Sequence, residues 1–479
     1  MVNECLPRDD TQAQSLAGSG PFCEIVRMAE QVDVVVVGLG VGGEETAGRL
    51  AQAGLRVVGI ESRLVGGECP YYGCIPSKMM IRAANLIAET RRVDGMAGTA
   101  SVQPDWAPVA KRIRAEATDD WNDKVAVDRL VNKGATVLKE RGTITGRNTV
   151  RAGDREFEAT RGIVIATGTI PAVPPIDGLA GTPYWTNREA IEADTLPASI
   201  LVLGGGAIGM ELAQAFARFG SQVSVIEGAA EVLSMEEPES RILAREALER
   251  DGVTFRTGVH AKQVGYAGNT FTVTLDDGSV VSGEKLLVAT GRRIASDELG
   301  LDQLGLDPEA SWIEVDGHVR AGDKVWAIGD VTGVGVFTHN AMYQADIAVR
   351  DILEEPDAPT ASYHAMPRVT FTDPEIGAVG LTEKQAREAG LDVRTGSTPI
   401  PASTRGWIHK AGNEGFIKVV ADNERGVLVG ATSAGPTGGE VLSALAVAVH
   451  ARVPVHSLRQ MIYAYPTFHR AIGEALKAL

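Results

Sequence analysis

The chain has 479 residues, 44% of them hydrophobic and 23% charged, with a formal net charge of −16. That length exceeds what one hydrophobic core usually supports, so roughly two to four domains are expected, and the acidic balance argues against a nucleic-acid partner. No apolar run approaches the ~18–20 residues of a membrane helix and no secretory leader pattern opens the chain, so the sequence reads as soluble and cytoplasmic, with no membrane partner.

Residues 1–30 are polar and small-residue-rich and read as a disordered tail, with Met28 as the physiological start; on that reading Cys5 and Cys23 have no role. From Val32 the run V-D-V-V-V-V-G is nearly continuous in valine, as a strand of a parallel sheet covered on both faces requires. It feeds G-L-G-V-G-G (38–43), a helix, and a second strand ending at Glu61. In such a turn Gly38 bends the chain, Gly40 lets a pyrophosphate reach the backbone, and Gly43 lets helix and strand pack closely. The phosphates then sit at a helix N-terminus, and Glu61, 18 residues past Gly43, is spaced to accept ribose hydroxyls.

Four residues separate Cys69 from Cys74 in G-G-E-C-P-Y-Y-G-C-I-P-S-K. A disulfide closing so short a loop would add only about 2 kcal/mol by chain entropy. Such a pair beside a helix start suits redox cycling better than structure. Inert buried thiols are the bland alternative; a zinc site would need further Cys or His ligands close by, and none follow, so no metal is expected. The strand–glycine–helix pattern then returns in S-I-L-V-L-G-G-G-A-I-G (199–209), giving Gly204, Gly206 and Gly209, with Glu227 ending the next strand. An acid there favours a free 2′-hydroxyl, hence NADH over NADPH. Residues 365–479 lack a glycine fingerprint and mix short strands (G-F-I-K-V-V, V-L-V-G-A-T) with helices, as an α+β unit would.

These pieces, with I-A-T-G (165–168), V-A-T-G-R-R (288–293), V-W-A-I-G-D (325–330), A-G-P-x-x-G-G-E (434–440) and Y-P-T (465–467), resemble the flavoprotein disulfide reductases. That family includes dihydrolipoamide dehydrogenase, glutathione reductase and mercuric reductase. The resemblance runs from residue 31 to 479 and implies an α/β fold: two Rossmann-like domains for FAD (31–167 and 291–364) and NAD (168–290), then a dimerisation domain (365–479). It implies hydride transfer from NADH to FAD, then to the Cys69–Cys74 disulfide and on to a small disulfide acceptor. Cys74 would face the flavin and Cys69 would be the interchange thiol. Lys78 would stand near the flavin, paired with Glu211. Gly142, Thr167, Gly168, Asp330, Thr338 and His339 would complete the flavin site, and Glu211 and Gly291 the nicotinamide site. For His339 a packing role at a helix start is the favoured reading.

The sequence also departs from the family. Where disulfide reductases carry a histidine before the Pro-Thr and a glutamate five residues on, presented to the interchange thiol by the partner subunit of a homodimer, this chain has Tyr465 and Arg470; the commonly seen second histidine is Tyr463. A phenol of pKa ≈ 10 is no base at neutral pH, and losing a positioned base costs about 10²–10⁴ in rate. Disulfide turnover is therefore expected to be weak unless His469, otherwise a surface histidine on the last helix, substitutes. The chain ends G-E-A-L-K-A-L without a C-terminal thiol pair, which disfavours mercury reduction and the thioredoxin-reductase type. Ala207 stands where many members have a gating tyrosine. That change leaves room for a second reading, transfer to quinones or other small acceptors with the cysteine pair auxiliary. A flavin-based redox sensor is the minor alternative.

Overall fold

The computed structural model describes residues 29–296 and 298–479; the tail through Met28, with Cys5 and Cys23, lies outside the described residues. Glu30, which the sequence reading gave to the tail, opens the first strand, β1 (Glu30–Val37). Val34, Val35 and Val36 are all buried, because β1 sits in the middle of a sheet. The sheet order is Arg320–Gly322, Val325–Ala327, Arg155–Ile165, β1, β2 (Val57–Ile60) and Thr136–Leu138. Apart from the edge strand Arg320–Gly322, these strands pair in parallel.

The turn after β1 follows from sterics. Gly38 has φ +91, and a Cβ there would lie 2.5 Å from the Ala166 carbonyl oxygen. A Cβ on Gly43 would lie 2.0 Å from the Gly38 carbonyl oxygen, so only glycine lets helix α1 (Val41–Gln52) start this close to the strand. The second glycine loop repeats the arrangement: Gly204 has φ +108, and a Cβ on Gly209 would lie 2.1 Å from the Gly204 oxygen. It joins the strand Ser199–Leu203 to the helix Ala207–Phe219 within a four-stranded parallel sheet.

The C-terminal sheet has five antiparallel strands in the order Pro367–Thr370, Glu375–Gly380, Val427–Gly435, Phe416–Asp422 and Val393–Pro399. The helix Gly438–His450 buries Leu442 and Leu445 in the core of this unit. His469 precedes the last helix, Ala471–Lys477, rather than lying on it, and its ring stands 5.9 Å from that of the buried Tyr463.

A polar seam ties the helices Cys74–Arg91 and Ala207–Phe219 to the loop that follows the strand Pro367–Thr370. Along the 207–219 helix, Glu211, Gln214 and Arg218 recur every three or four residues and so share one face. The Arg218 guanidinium, 2% exposed, bonds Asp251 at 2.8 Å, Asp373 at 2.7 Å and Asn85 at 2.6 Å. Gln214 bonds both the N–H and the carbonyl of Asp373 (2.8 and 3.0 Å). Arg92 reaches Asp373 from the other side at 2.7 Å. A second lock is the buried Lys418 ammonium, which meets Glu237, Glu239 and Glu383 at 2.8–3.1 Å.

Candidate active site

Between the two glycine loops lies a cavity of about 1440 Å³. From the first loop it takes in Gly38, Gly40 and Gly43, with Glu61, and from neighbouring segments Gly142, Thr167, Gly168, Asp330 and Thr338. From the second it takes in Gly206, Ala207, Glu211 and Gly291. Gly204, Gly209 and Glu227 lie off this wall, as do His339, Tyr465 and His469.

The division of labour within each glycine triplet is physical. The outer glycines are used internally, by the turn and by helix packing, whereas the middle one is bare. A Cβ on Gly40 would meet only the Gly67 Cα, at 3.9 Å, and one on Gly206 would meet nothing within 4 Å. Unadorned backbone at a helix N-terminus is what a phosphate group needs in order to approach N–H donors. Each following acid is oriented by its own loop. Glu61 accepts the N–H groups of Leu39 and Arg63, both at 2.8 Å; Glu227 accepts those of Gly205 (2.6 Å) and Ala229 (2.7 Å). Each carboxylate oxygen keeps a further lone pair for a ribose hydroxyl. The residues present therefore fit two dinucleotides.

At the centre, helix α2 (Glu68–Tyr71) carries Cys69, and Cys74 is the first residue of the 18-residue helix α3 (Cys74–Arg91). Both cysteines are free thiols. The Cys69 thiol hydrogen-bonds Cys74 and, with the Thr338 hydroxyl and the Lys78 charge, lowers Cys74 to about 6 against the opposing effect of burial. Thr338 Oγ1 lies 3.3 Å from Cys74 Sγ. The helix start adds its dipole in the same direction. That hydrogen bond and burial push Cys69 far above an ordinary thiol. Cys74 is thus the thiolate of the pair near neutral pH, and Cys69 needs a proton acceptor to react. Among the described residues no histidine or carboxylate hydrogen-bonds Cys69.

Lys78 Nζ bonds Glu211 Oε2 at 2.6 Å. Asp330 accepts the Thr169 hydroxyl at 2.8 Å. His339 directs Nε2 to the Pro367 carbonyl (2.9 Å) and stacks on Phe337, consistent with packing. Tyr465 is 65% exposed and lies under the Arg470 guanidinium at 5.5 Å. Sequence reasoning missed Arg292, which bridges Glu68 beside the first cysteine (2.8 Å) and the Thr169 hydroxyl (2.6 Å); it sits inside the V-A-T-G-R-R run, the one signal available. It also missed the Thr338 contact with Cys74. Thr338→Val should move thiolate formation at Cys74 to higher pH, because a hydrogen bond to an ion contributes roughly 1.5–3 kcal/mol. A thiolate ultraviolet-absorbance titration of the reduced protein that left the midpoint in place would refute this.

Two strand–glycine–helix loops facing one cavity with a paired-thiol centre define a dinucleotide-dependent redox protein. Residues 32–345 match the family described as pyridine nucleotide-disulphide oxidoreductase, and residues 366–476 match the dimerisation domain of that family. The chain belongs to the pyridine nucleotide-disulphide oxidoreductases. It is similar to the dihydrolipoyl dehydrogenases of Halobacterium salinarum (34% identical, covering 92% of this chain and 95% of that one) and Thermus scotoductus (35%; 93% and 97%). Among solved structures it resembles the HOCl-induced flavoprotein disulfide reductase RclA from Escherichia coli (TM-score 0.82, 26% identical, covering 93% and 99%). LpdA from Mycobacterium tuberculosis is similar to the same degree (TM-score 0.82, 26%; 94% and 99%). The protein is accordingly an FAD-dependent oxidoreductase that uses NADH and acts on sulfur groups, with a C-terminal dimerisation domain. Among the described residues no helix is long and apolar enough to cross a membrane.

Proposed function

We propose that the protein is a cytoplasmic, homodimeric NADH:disulfide oxidoreductase whose Cys69–Cys74 pair delivers electrons to a low-molecular-weight disulfide. The observation that carries this reading is the placement of Cys69 and Cys74, with Thr338 Oγ1 3.3 Å from the Cys74 sulfur and Lys78 nearby, on the wall of a cavity that both glycine loops border. Bound FAD supplies the two-electron relay between the nicotinamide and the sulfur pair. In this reading Gly38, Gly40, Gly43, Glu61 and Asp330 hold it, with Gly142, Thr167, Gly168 and Thr338 along its wall. Gly204, Gly206, Gly209, Glu227 and Gly291 hold NADH. The return of the strand Val325–Ala327 to the β1 sheet supports an FAD domain made of 31–167 and 291–364, enclosing an NAD domain at 168–290 and followed by 365–479.

The sulfur steps balance as a simple exchange. Deprotonated Cys69 attacks one sulfur of the acceptor, forming a mixed disulfide and releasing the first thiolate, which takes up a proton. The Cys74 thiolate then attacks Cys69, re-forming the intramolecular disulfide and releasing the second thiol. The net reaction consumes NADH, one proton and one disulfide, and yields NAD⁺ and two thiols. With Tyr465 under Arg470 where the family has a histidine–glutamate pair, proton removal from Cys69 is poorly supported, so lipoamide is an unfavourable acceptor. Ala207, a small residue on the cavity wall, favours a second reading, reduction of quinones or other flat acceptors.

An anaerobic NADH titration, followed by an acceptor screen, tests the proposal. Two electrons should produce long-wavelength absorbance from a thiolate against the flavin, fading as the pH falls through about 6 while Cys74 protonates. Reduction without that absorbance at any pH would remove the sulfur pair from the electron path.

A further inference from the structure

The Lys78–Glu211 pair is held by a residue from outside both helices. Glu211 is buried, and its two oxygens are divided: Oε2 takes the Lys78 ammonium at 2.6 Å, and Oε1 accepts the Phe371 backbone N–H at 2.8 Å. The ring of that same Phe371 faces the ammonium, with Nζ 4.6 Å from its centroid. Phe371 follows the strand Pro367–Thr370 of the C-terminal sheet and stands off the cavity wall that Val369 and Thr370 help to form. Its position is in turn fixed two residues on, where Gln214, Arg218 and Arg92 all bond Asp373.

A lysine ammonium is a point charge on a flexible four-carbon stem. The Glu211 carboxylate at 2.6 Å and a longer bond to Ser77 Oγ at 3.3 Å fix its distance but leave one side of it open to movement. A ring face on another side removes that freedom, since a cation is attracted to the aromatic quadrupole. We propose that Phe371 is a positioning residue for the redox centre: through its ring and its N–H it fixes the Lys78 charge in the cavity, so the dimerisation domain sets the electrostatics at the flavin. The inference rests on the reading of Lys78 as a neighbour of bound flavin.

Phe371→Leu keeps the N–H and much of the volume but removes the ring face. In the holoenzyme it should make the flavin midpoint potential more negative, shift Cys74 ionisation to higher pH, and slow flavin reduction by NADH about 3–10-fold. Phe371→Trp and Phe371→Tyr, which keep a π face, should stay near wild type. Should Phe371→Leu fail to retain flavin, phenylalanine with a trifluorinated ring at 371 separates the terms, because shape is nearly preserved while the quadrupole is weakened; it should reproduce the potential shift. A wild-type potential and titration in Phe371→Leu or in the fluorinated protein overturns the proposal, as does a Phe371→Trp variant as impaired as Phe371→Leu. If NADH leaves the wild-type flavin oxidised, the functional reading falls and takes this one with it. A normal wild-type response with an inert Phe371→Leu removes only the positioning role.

Discussion

Cys69→Ser will abolish NADH-driven reduction of disulfides while leaving dye or quinone reduction in place. Attack on an external disulfide needs a sulfur nucleophile, and a serine hydroxyl neither ionises near neutral pH nor forms a mixed disulfide. Removing the attacking group should lower disulfide turnover by about 10³-fold or more. Cys74 keeps the Thr338 contact and the Lys78 charge, and a serine hydroxyl at 69 can still donate to it, so its thiolate persists. Steady-state assays of both acceptor classes on one preparation decide the matter. Unchanged turnover of the best natural acceptor would sink the disulfide proposal and leave the small-acceptor reading in its place.

The largest effect on stability should come from Arg218→Ala. Asp251 and Asp373 are 16% and 12% exposed, and the nearly fully buried Arg218 is ion-paired with both; without it Asp373 would keep only the Arg92 charge, and Asp251 only the neutral Gln214 amide. Breaking a buried ion pair by deleting one partner costs about 3–5 kcal/mol, because the surviving charge stays desolvated. The effect should depend on pH with a definite sign. Burial works to raise Asp373, but the charges of Arg218 and Arg92 outweigh it and hold the carboxyl below its usual range. A lowered carboxyl stabilises the fold above its unfolded-state pKa and loses that contribution as the pH falls through its folded value. The gap between wild type and Arg218→Ala, read from thermal unfolding of the flavin-loaded proteins, should therefore be widest near neutrality and narrow as the pH falls below the ordinary aspartate range. A gap constant across that range would mean the arginine acts by packing alone.

Much of the site was legible before any fold was known, and the reason differs from residue to residue. Gly38 and Gly43 could be read because positive φ and a missing Cβ are local requirements. Glu61 and Glu227 could be read because an acid ending the second strand of such a unit meets its own glycine loop. Cys69 and Cys74 could be read from their spacing. The Lys78–Glu211 pair came from family resemblance alone, as the two lie 133 residues apart. Thr338, Arg292, Phe371 and Asp373 were not assigned their contacts, because each is an ordinary residue in its own segment. Their roles exist only where elements from different sheets meet.

By itself the amino-acid order determined that two tight glycine loops and a vicinal sulfur pair would form, since each depends on backbone sterics or spacing within a few residues. Only the tertiary structure decided which sulfur carries the charge. That asymmetry arises from the hydrogen bond between the two thiols, a hydroxyl 264 residues away, an ammonium gripped between a carboxylate and a ring, and a helix that starts at Cys74. Electrostatic fields depend on distance in space, and distance along the chain does not encode them.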